Sequence, residues 1–322
     1  MTTAAPGQPV VKTLFLFNHR FEANLPLLDR IYGPRFSRRH TIMPFASSPG
    51  PTRSRVAELG RNFSGHFAQS AHDWIEPEVT HYVVIPDDLL LNPALDESNL
   101  IAALRLKPGE AYTKNLIAAD ALRFAWPWAG EAAATFEQSA KAIDLHPLLP
   151  PAAEARARFE SMGLAFPTPA VLGGRANAGT HVRMIRNAKR AYLHAWSLRT
   201  RPAAFPLLAG YSDFLVIPAE AIDQFVHYCG VFAALNVFAE VAVPTALALA
   251  AEHVRTELAL NTHFLDPGPP LRDPAALRGI ELWNPADMAA HSQLFAGDLD
   301  HLFAQFPKEW LYVHPVKLSA YR

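Results

Sequence analysis

Asp87 and Asp88 stand side by side at the end of an apolar run, in T-H-Y-V-V-I-P-D-D-L-L-L-N-P from Thr80 to Pro93. Two carboxylates cannot be left unpaired in a dry core without a large desolvation cost. They face a cleft, hold a cation, or cap the helix that follows, a position Asp favours. Successive side chains of a strand point to opposite faces, so the two do different jobs. Glu240 lies between N-V-F-A and V-A-V-P. Such surroundings disfavour its charged form, which suits a general base and equally a buried structural carboxyl. Asp213, in Y-S-D-F-L-V-I-P, is the rival base, with turn capping or hydroxyl binding as its other readings. His314 ends the apolar Leu311-Tyr312-Val313 and precedes Pro315, which restricts its backbone to extended conformations. Lys317 is a point charge within reach of a phosphate, or part of an exposed tail. Arg183, Arg186, Lys189 and Arg190 form a basic stretch. It is read as a solvated helix face or as a contact to a phosphorylated or lipid-linked group at a membrane surface. Trp126 and Trp128 stack on a ligand ring or pack locally.

These residues need elements to hold them. Val10 to Phe17 reads as a strand apolar enough to be central in a sheet, and it ends at Asn18-His19-Arg20. Leu25 to Tyr32 is then helical and closed by Gly33-Pro34, and His40 to Phe45 is a second strand. A helix is expected around Arg53 to Leu59, another near His66 to Trp74, and a third strand at Tyr82 to Ile85. This β-α-β-α-β order argues for a mostly parallel sheet covered on both faces. Ligands gather where such strands end at their carboxyl side. Further on, Trp126 to Gly130 reads as a loop, and Glu131 to Ile143 and Ala152 to Met162 as helices. Gly173 to Thr180 is a loop and Arg183 to Trp196 a basic helix. Tyr211 to Pro218 is a strand and Ala219 to Tyr228 a helix. Val231 to Ala251 is one helix kinked near Pro244, and Trp310 to Lys317 is a last strand. Residues 1–9 are expected to be a flexible lead-in, and 10–322 a single domain with its halves meeting near residue 130.

Bulk composition narrows the class. The chain has 322 residues, half of them hydrophobic, enough for one large core. A net charge of −1 provides no field for nucleic acid. Cys229 is the only cysteine, which rules out an internal disulfide framework and fits a reducing, cytoplasmic compartment. The N-terminus carries no secretory signal pattern. Val231 to Ala251 is long enough to span a bilayer, but Asn236, Glu240 and Pro244 sit near its middle, and a central acidic residue is costly in lipid.

The nucleotide-type first half, the aspartate pair near residue 90 and the late His together resemble GT-A-type glycosyltransferases. D-D-L-L-L-N-P looks like their metal-binding acidic motif, with Pro86 in the first acidic position. Y-S-D-F-L-V-I-P with Glu240 looks like the acceptor half, and Y-V-H-P-V-K like the C-terminal His that completes a metal site. The resemblance implies a GT-A-like α/β fold, with a mostly parallel central sheet flanked by helices. It also implies transfer of a sugar from a nucleotide-diphosphate sugar to a carbohydrate or other hydroxyl acceptor, assisted by Mn²⁺ or Mg²⁺. On it, Asp88 and His314 hold the metal, and Asp87 the ribose or a supporting role. Asn18, His19, Arg20 and Lys317 face the nucleotide, and Glu240 or Asp213 is the base. The same acids would serve a metal-dependent nucleotidyl or phosphoryl transferase. The same fold without turnover would be a carbohydrate- or partner-binding protein.

Overall fold

The first strand, β1 (Val11–Leu16), is buried along its whole length. Its side chains feed two cores in alternation, Leu14 and Leu16 on one face and Val11 and Phe15 on the other. β4 (His81–Pro86) does the same, with Tyr82 and Val84 opposite Val83 and Ile85. A run of β-branched and aromatic residues without polar alternation is what a strand covered on both faces requires. Each fully buried side chain of this kind contributes about 1.5–3 kcal/mol. The structure, a computed structural model, describes residues 8–122, 126–166, 203–260, 271–273, 275–282, 289 and 298–318. The expected loop at 173–180, the basic stretch with Arg183, Arg186, Lys189 and Arg190, and most of the lead-in lie outside the described residues.

Seven strands form the main sheet. β2 (Arg39–Pro44) lies parallel to β1, and β3 (Arg53–Val56) parallel to β2. On the other side of β1 lies β4, also parallel. Beyond it come β9 (Leu215–Pro218), β6 (Glu110–Thr113) and β10 (His253–Thr256). β9 is antiparallel to both neighbours, whereas β6 and β10 are parallel to each other and run in the direction of β1. The fold is therefore α/β, with a mostly parallel sheet flanked by helices. One layer contains α1 (Leu25–Tyr32), which buries Leu28, Ile31 and Tyr32, and α3 (Leu100–Ala103). The opposite layer contains α2 (Ser64–Trp74), α5 (Pro127–Ser139) and α6 (Ala152–Ser161), with the short α4 (Ala119–Leu122) leading into α5. It is completed by α7 (Ala219–Ala234) and α8 (Ala239–Ala250).

Two small sheets attach to this frame. β5 (Leu90–Leu91) follows the aspartate pair directly and pairs antiparallel with β12 (Trp310–His314). β11 (Arg278–Glu281) lies parallel on the other side of β12. β7 (Ile117–Ala118) pairs with β8 (Leu208–Ala209). One further short helix, α9 (Leu299–Ala304), is capped by Asp298, whose carboxylate accepts from the Asp300 and His301 backbone amides.

Three expectations need correction. Arg53 to Val56 is a strand, not a helix: Ser54 and Val56 point inward while Arg53 and Arg55 stay more open, the period of an edge strand. Trp126 to Gly130 is not a loop. Pro127 opens α5 at its first turn, where its missing N–H costs nothing, and Trp126 is buried. The long apolar run is not one helix, although Pro244 does lie inside a helix, α8. It divides between α7 and α8, where Asn236 takes a left-handed conformation (φ 54°) that Asn tolerates better than most residues. No helix among the described residues is long and apolar enough to cross a membrane.

Candidate functional site

The carboxyl edge of the main sheet gathers polar residues from one strand after another. β1 ends at Asn18, His19 and Arg20, all exposed. β4 ends at Asp87 and Asp88, β6 at Lys114 and Asn115, and β10 at Glu257. β9 runs the other way, so Asp213, two residues before it, comes to the same edge. Its register with β4 (Val84 opposite Leu215) brings Asp213 level with Pro86. The order of strands turns at β1, with β2 and β3 to one side and β4 to the other. The crevice outside such a switch point is where open α/β sheets bind ligands.

The late His is delivered by pairing. β5 takes up β12 immediately after Asp88, and Leu90 opposite Val313 puts His314 level with Leu89. The Val316 amide donates to the Asp88 carbonyl, and the Asn92 amide to the Leu311 carbonyl. The result is His314 Nε2 at 3.3 Å from Asp88 Oδ1 and 3.7 Å from Asp213 Oδ1. His314 Nδ1 lies 2.9 Å from Glu281 Oε2, its cross-strand neighbour on β11. The Tyr312 hydroxyl donates to Glu281 Oε1 (2.6 Å), and Lys114 Nζ stands 3.6 Å from the same oxygen. Lys114 also donates to the Gly279 carbonyl (2.7 Å) and lies over the Tyr211 ring.

Glu240 arrives on the first turn of α8. Pro244 lacks the N–H that would close a helical bond onto the Glu240 carbonyl, and that carbonyl accepts from the Gly210 amide instead (3.1 Å). Gly210 is pressed against the segment after β6: a Cβ there would stand 2.3 Å from the Asn115 carbonyl oxygen. The Asn115 side chain in turn accepts from the Tyr211 amide. Thus one glycine lets the loop before Asp213, the exit of β6 and the start of α8 meet.

The electrostatics are those of an acid-rich cluster. Burial pushes Glu240 up to about 8, with Asp213 and Glu281 adding to the shift. Burial raises Asp213 to about 6 with the help of Glu281 and Asp88, although His314 opposes it. Asp87 is raised to about 6 by burial and by Asp88, while the hydrogen bond from Asn24 Nδ2 (2.9 Å) works the other way. Glu257 rises to about 7 through burial, tempered by Lys114 and the Gly279 amide. Burial also disfavours a charged Glu281, but Lys114, His314 and Tyr312 outweigh it and hold this carboxyl below its ordinary range. His314 is driven down by burial and up, more strongly, by Asp213, Asp88 and Glu281, and ends well above the usual imidazole range.

The structure brings Asp88, Asp213 and His314 together, with Glu240 within their field. Asp87 turns away from them to Asn24. His19 is close enough to Asp87 to influence it, and Arg20 is paired with Glu22. Lys317 is exposed, one residue beyond the Val316 amide that binds Asp88. Trp128 stacks on Phe238 with Arg61 over its face, a local packing arrangement. Glu281, Lys114 and Glu257 were not singled out from the sequence. The signal that marked Glu240, an acid within an apolar run, is also present in Gly279-Ile280-Glu281-Leu282 and Thr256-Glu257-Leu258-Ala259.

Asp213, Glu281 and His314 present ligand atoms close enough together to hold a metal ion. The chemistry of the neighbours refines that set. Both Glu281 oxygens are engaged, by His314 and by Tyr312, whereas Asp213 Oδ2 is a buried atom with no hydrogen-bond partner and Asp88 Oδ1, also buried, has the His314 Nε2 beside it at 3.3 Å. Two carboxylate oxygens and an imidazole nitrogen fit Mn²⁺ well and Mg²⁺ acceptably. No family model, curated protein or solved structure matches the chain.

Proposed function

We propose that the protein is a metal-assisted glycosyltransferase of the GT-A type, moving a sugar from a nucleotide-diphosphate sugar to a hydroxyl acceptor. The observation that carries this reading is the convergence of Asp88, Asp213 and His314 at the carboxyl edge of the sheet, within an acid-rich cluster that also holds Asp87, Glu240, Glu257 and Glu281. Carboxylate oxygens beside an imidazole suit a divalent cation and, through it, a diphosphate. Asp88, Asp213 and His314 would hold the ion. When bound, it supplies Lewis-acid stabilisation of the charge that builds on a diphosphate leaving group.

The other roles follow from position. Asn18, His19 and Arg20, exposed at the exit of β1, face the nucleotide across the switch point. Asp87 is buried and held by Asn24, which suits a supporting role. Lys317 is exposed, and on this reading its ammonium reaches a phosphate as a point charge. With Asp213 turned to the ion, Glu240 is the better base: it is half-buried, and its surroundings raise its affinity for the proton of an acceptor hydroxyl.

Titration of the protein with nucleoside diphosphates, with and without Mn²⁺, tests the reading. Binding should need the metal. Asp88→Asn should weaken it by at least about tenfold, as loss of a charged ligand does, and Asp87→Asn much less. Equal losses in the two variants would remove the assignment of Asp88. Binding indifferent to metal would remove the function. A nucleotidyltransferase would instead require a triphosphate and release pyrophosphate.

A further inference from the structure

His314 has two ring nitrogens, and only one can serve a cation. Nδ1 lies 2.9 Å from Glu281 Oε2, and Nε2 faces Asp88 and Asp213. Glu281 is itself fixed. It sits on β11 in register with His314, its side chain is 4 % exposed, and its second oxygen takes the Tyr312 hydroxyl. Lys114 compensates its charge from 3.6 Å and is anchored on the Gly279 carbonyl, two residues before Glu281 on the same strand. Gly279 is required beneath this group: a Cβ would stand 2.4 Å from the Tyr312 ring.

We propose that Glu281 is a positioning residue rather than a metal ligand: it fixes the proton of His314 on Nδ1 and thereby turns the Nε2 lone pair towards a divalent cation shared with Asp88 and Asp213. The proposal rests on the metal-assisted reading above and gives that site its orienting layer. A carboxylate behind a ligating imidazole raises its basicity and sets its tautomer, and loss of such a partner costs roughly 10–100-fold in metal affinity. The device spans three elements. β12 supplies the imidazole and Tyr312, β11 supplies the carboxylate, and the exit of β6 supplies the lysine.

The test uses the full chain and the metal alone. Calorimetric titration with Mn²⁺ should show Glu281→Gln binding about 10–100-fold more weakly than the wild type. His314→Ala should lose at least as much, and the double variant should lose no more than His314→Ala, because Glu281 acts through the imidazole. Nitrogen-15 spectra of the Zn²⁺-loaded wild type should show the metal shift on Nε2 and a retained proton on Nδ1. Tyr312→Phe, which frees only one Glu281 oxygen, guards against a Glu281 variant that fails to fold, and should weaken Mn²⁺ binding a few-fold. Additive losses in the double variant, a metal shift on Nδ1, or unchanged affinity in both Glu281→Gln and Tyr312→Phe would overturn the proposal. Failure of sugar transfer with these metal results intact would overturn the transferase reading alone.

Discussion

Glu240 is the residue in which local chemistry is most exposed to test. Its carboxyl is raised from an ordinary 4.5 to about 8, so between those pH values the folded protein holds a proton that the unfolded chain has released. Stability from this group is full below about pH 4.5 and is lost as pH rises through 8. Glu240→Gln removes that loss. The variant should therefore gain stability relative to wild type on going from pH 5 to pH 8, by more than about 1 kcal/mol, since one unit is worth about 1.4 kcal/mol. Its turnover should fall by about 10²-fold or more with nucleotide affinity kept. Urea melts at both pH values and a steady-state assay check this. An equal difference at the two pH values, or unchanged turnover, would make Glu240 an ordinary structural carboxyl. At this scale much was legible in the sequence. Paired acids after a buried strand and a His fixed by a following Pro are local patterns. Glu281 and Lys114 were not legible, because their meaning lies in what they touch: a cross-strand imidazole and a carbonyl on β11.

Among elements, the junction at Gly210 holds the edge together. The glycine lies against the Asn115 carbonyl, and its amide occupies the carbonyl that Pro244 leaves open in α8. Gly210→Ala forces a Cβ into backbone, which cannot give way as a flexible side chain could. The expected cost is about 1–3 kcal/mol, as for other overpacked sites. Because the junction sets Asp213 and Glu240 relative to each other, Mn²⁺ binding should weaken as well. A chemical-denaturation midpoint equal to wild type would show that the loop relaxes freely. The same junction explains why the helix after Val231 was misread. A proline in an apolar run looks like a kink, but its effect here is to release a carbonyl to another segment, while the break between α7 and α8 falls at Asn236. β3 was misread for a related reason. Arg53, Arg55 and the following Ala57-Glu58-Leu59 are good helix formers, and only the neighbouring β2 decides for a strand.

The whole molecule carries its pH response in buried histidines as well as in the acid cluster. His66, on the covered face of α2, is fully buried, and burial lowers it to about 4 although its ring contacts the Glu58 carbonyl. His40, within the sheet, is likewise at about 4. In the unfolded chain both titrate near 6.5, so between pH 4 and 6.5 the unfolded state binds more protons and stability falls as pH falls. His66→Gln should remove part of that slope: the stability difference between wild type and variant, followed by urea melts, should shrink from pH 7 to pH 4.5. A constant difference would show that His66 takes up its proton in the fold just as it does in the unfolded chain. The mostly parallel sheet itself was legible, because β1, β2 and β4 each carry a short apolar run and are separated by turn residues or a helix. The antiparallel β9 and the small β11-β12-β5 sheet were not, since short strands acquire direction only from their partners. That late sheet sets a timetable. A ribosome releases the chain from its N-terminus, at about 5–20 residues per second, and the seven main strands are complete by Thr256. For a time on the order of several seconds the nascent protein carries the acids of β4, β9, α8 and β10 with neither His314 nor Glu281 yet made. His314 reaches Asp88 only when β12 docks on β5, so a chain cut short before Trp310 lacks the imidazole of the proposed ion site.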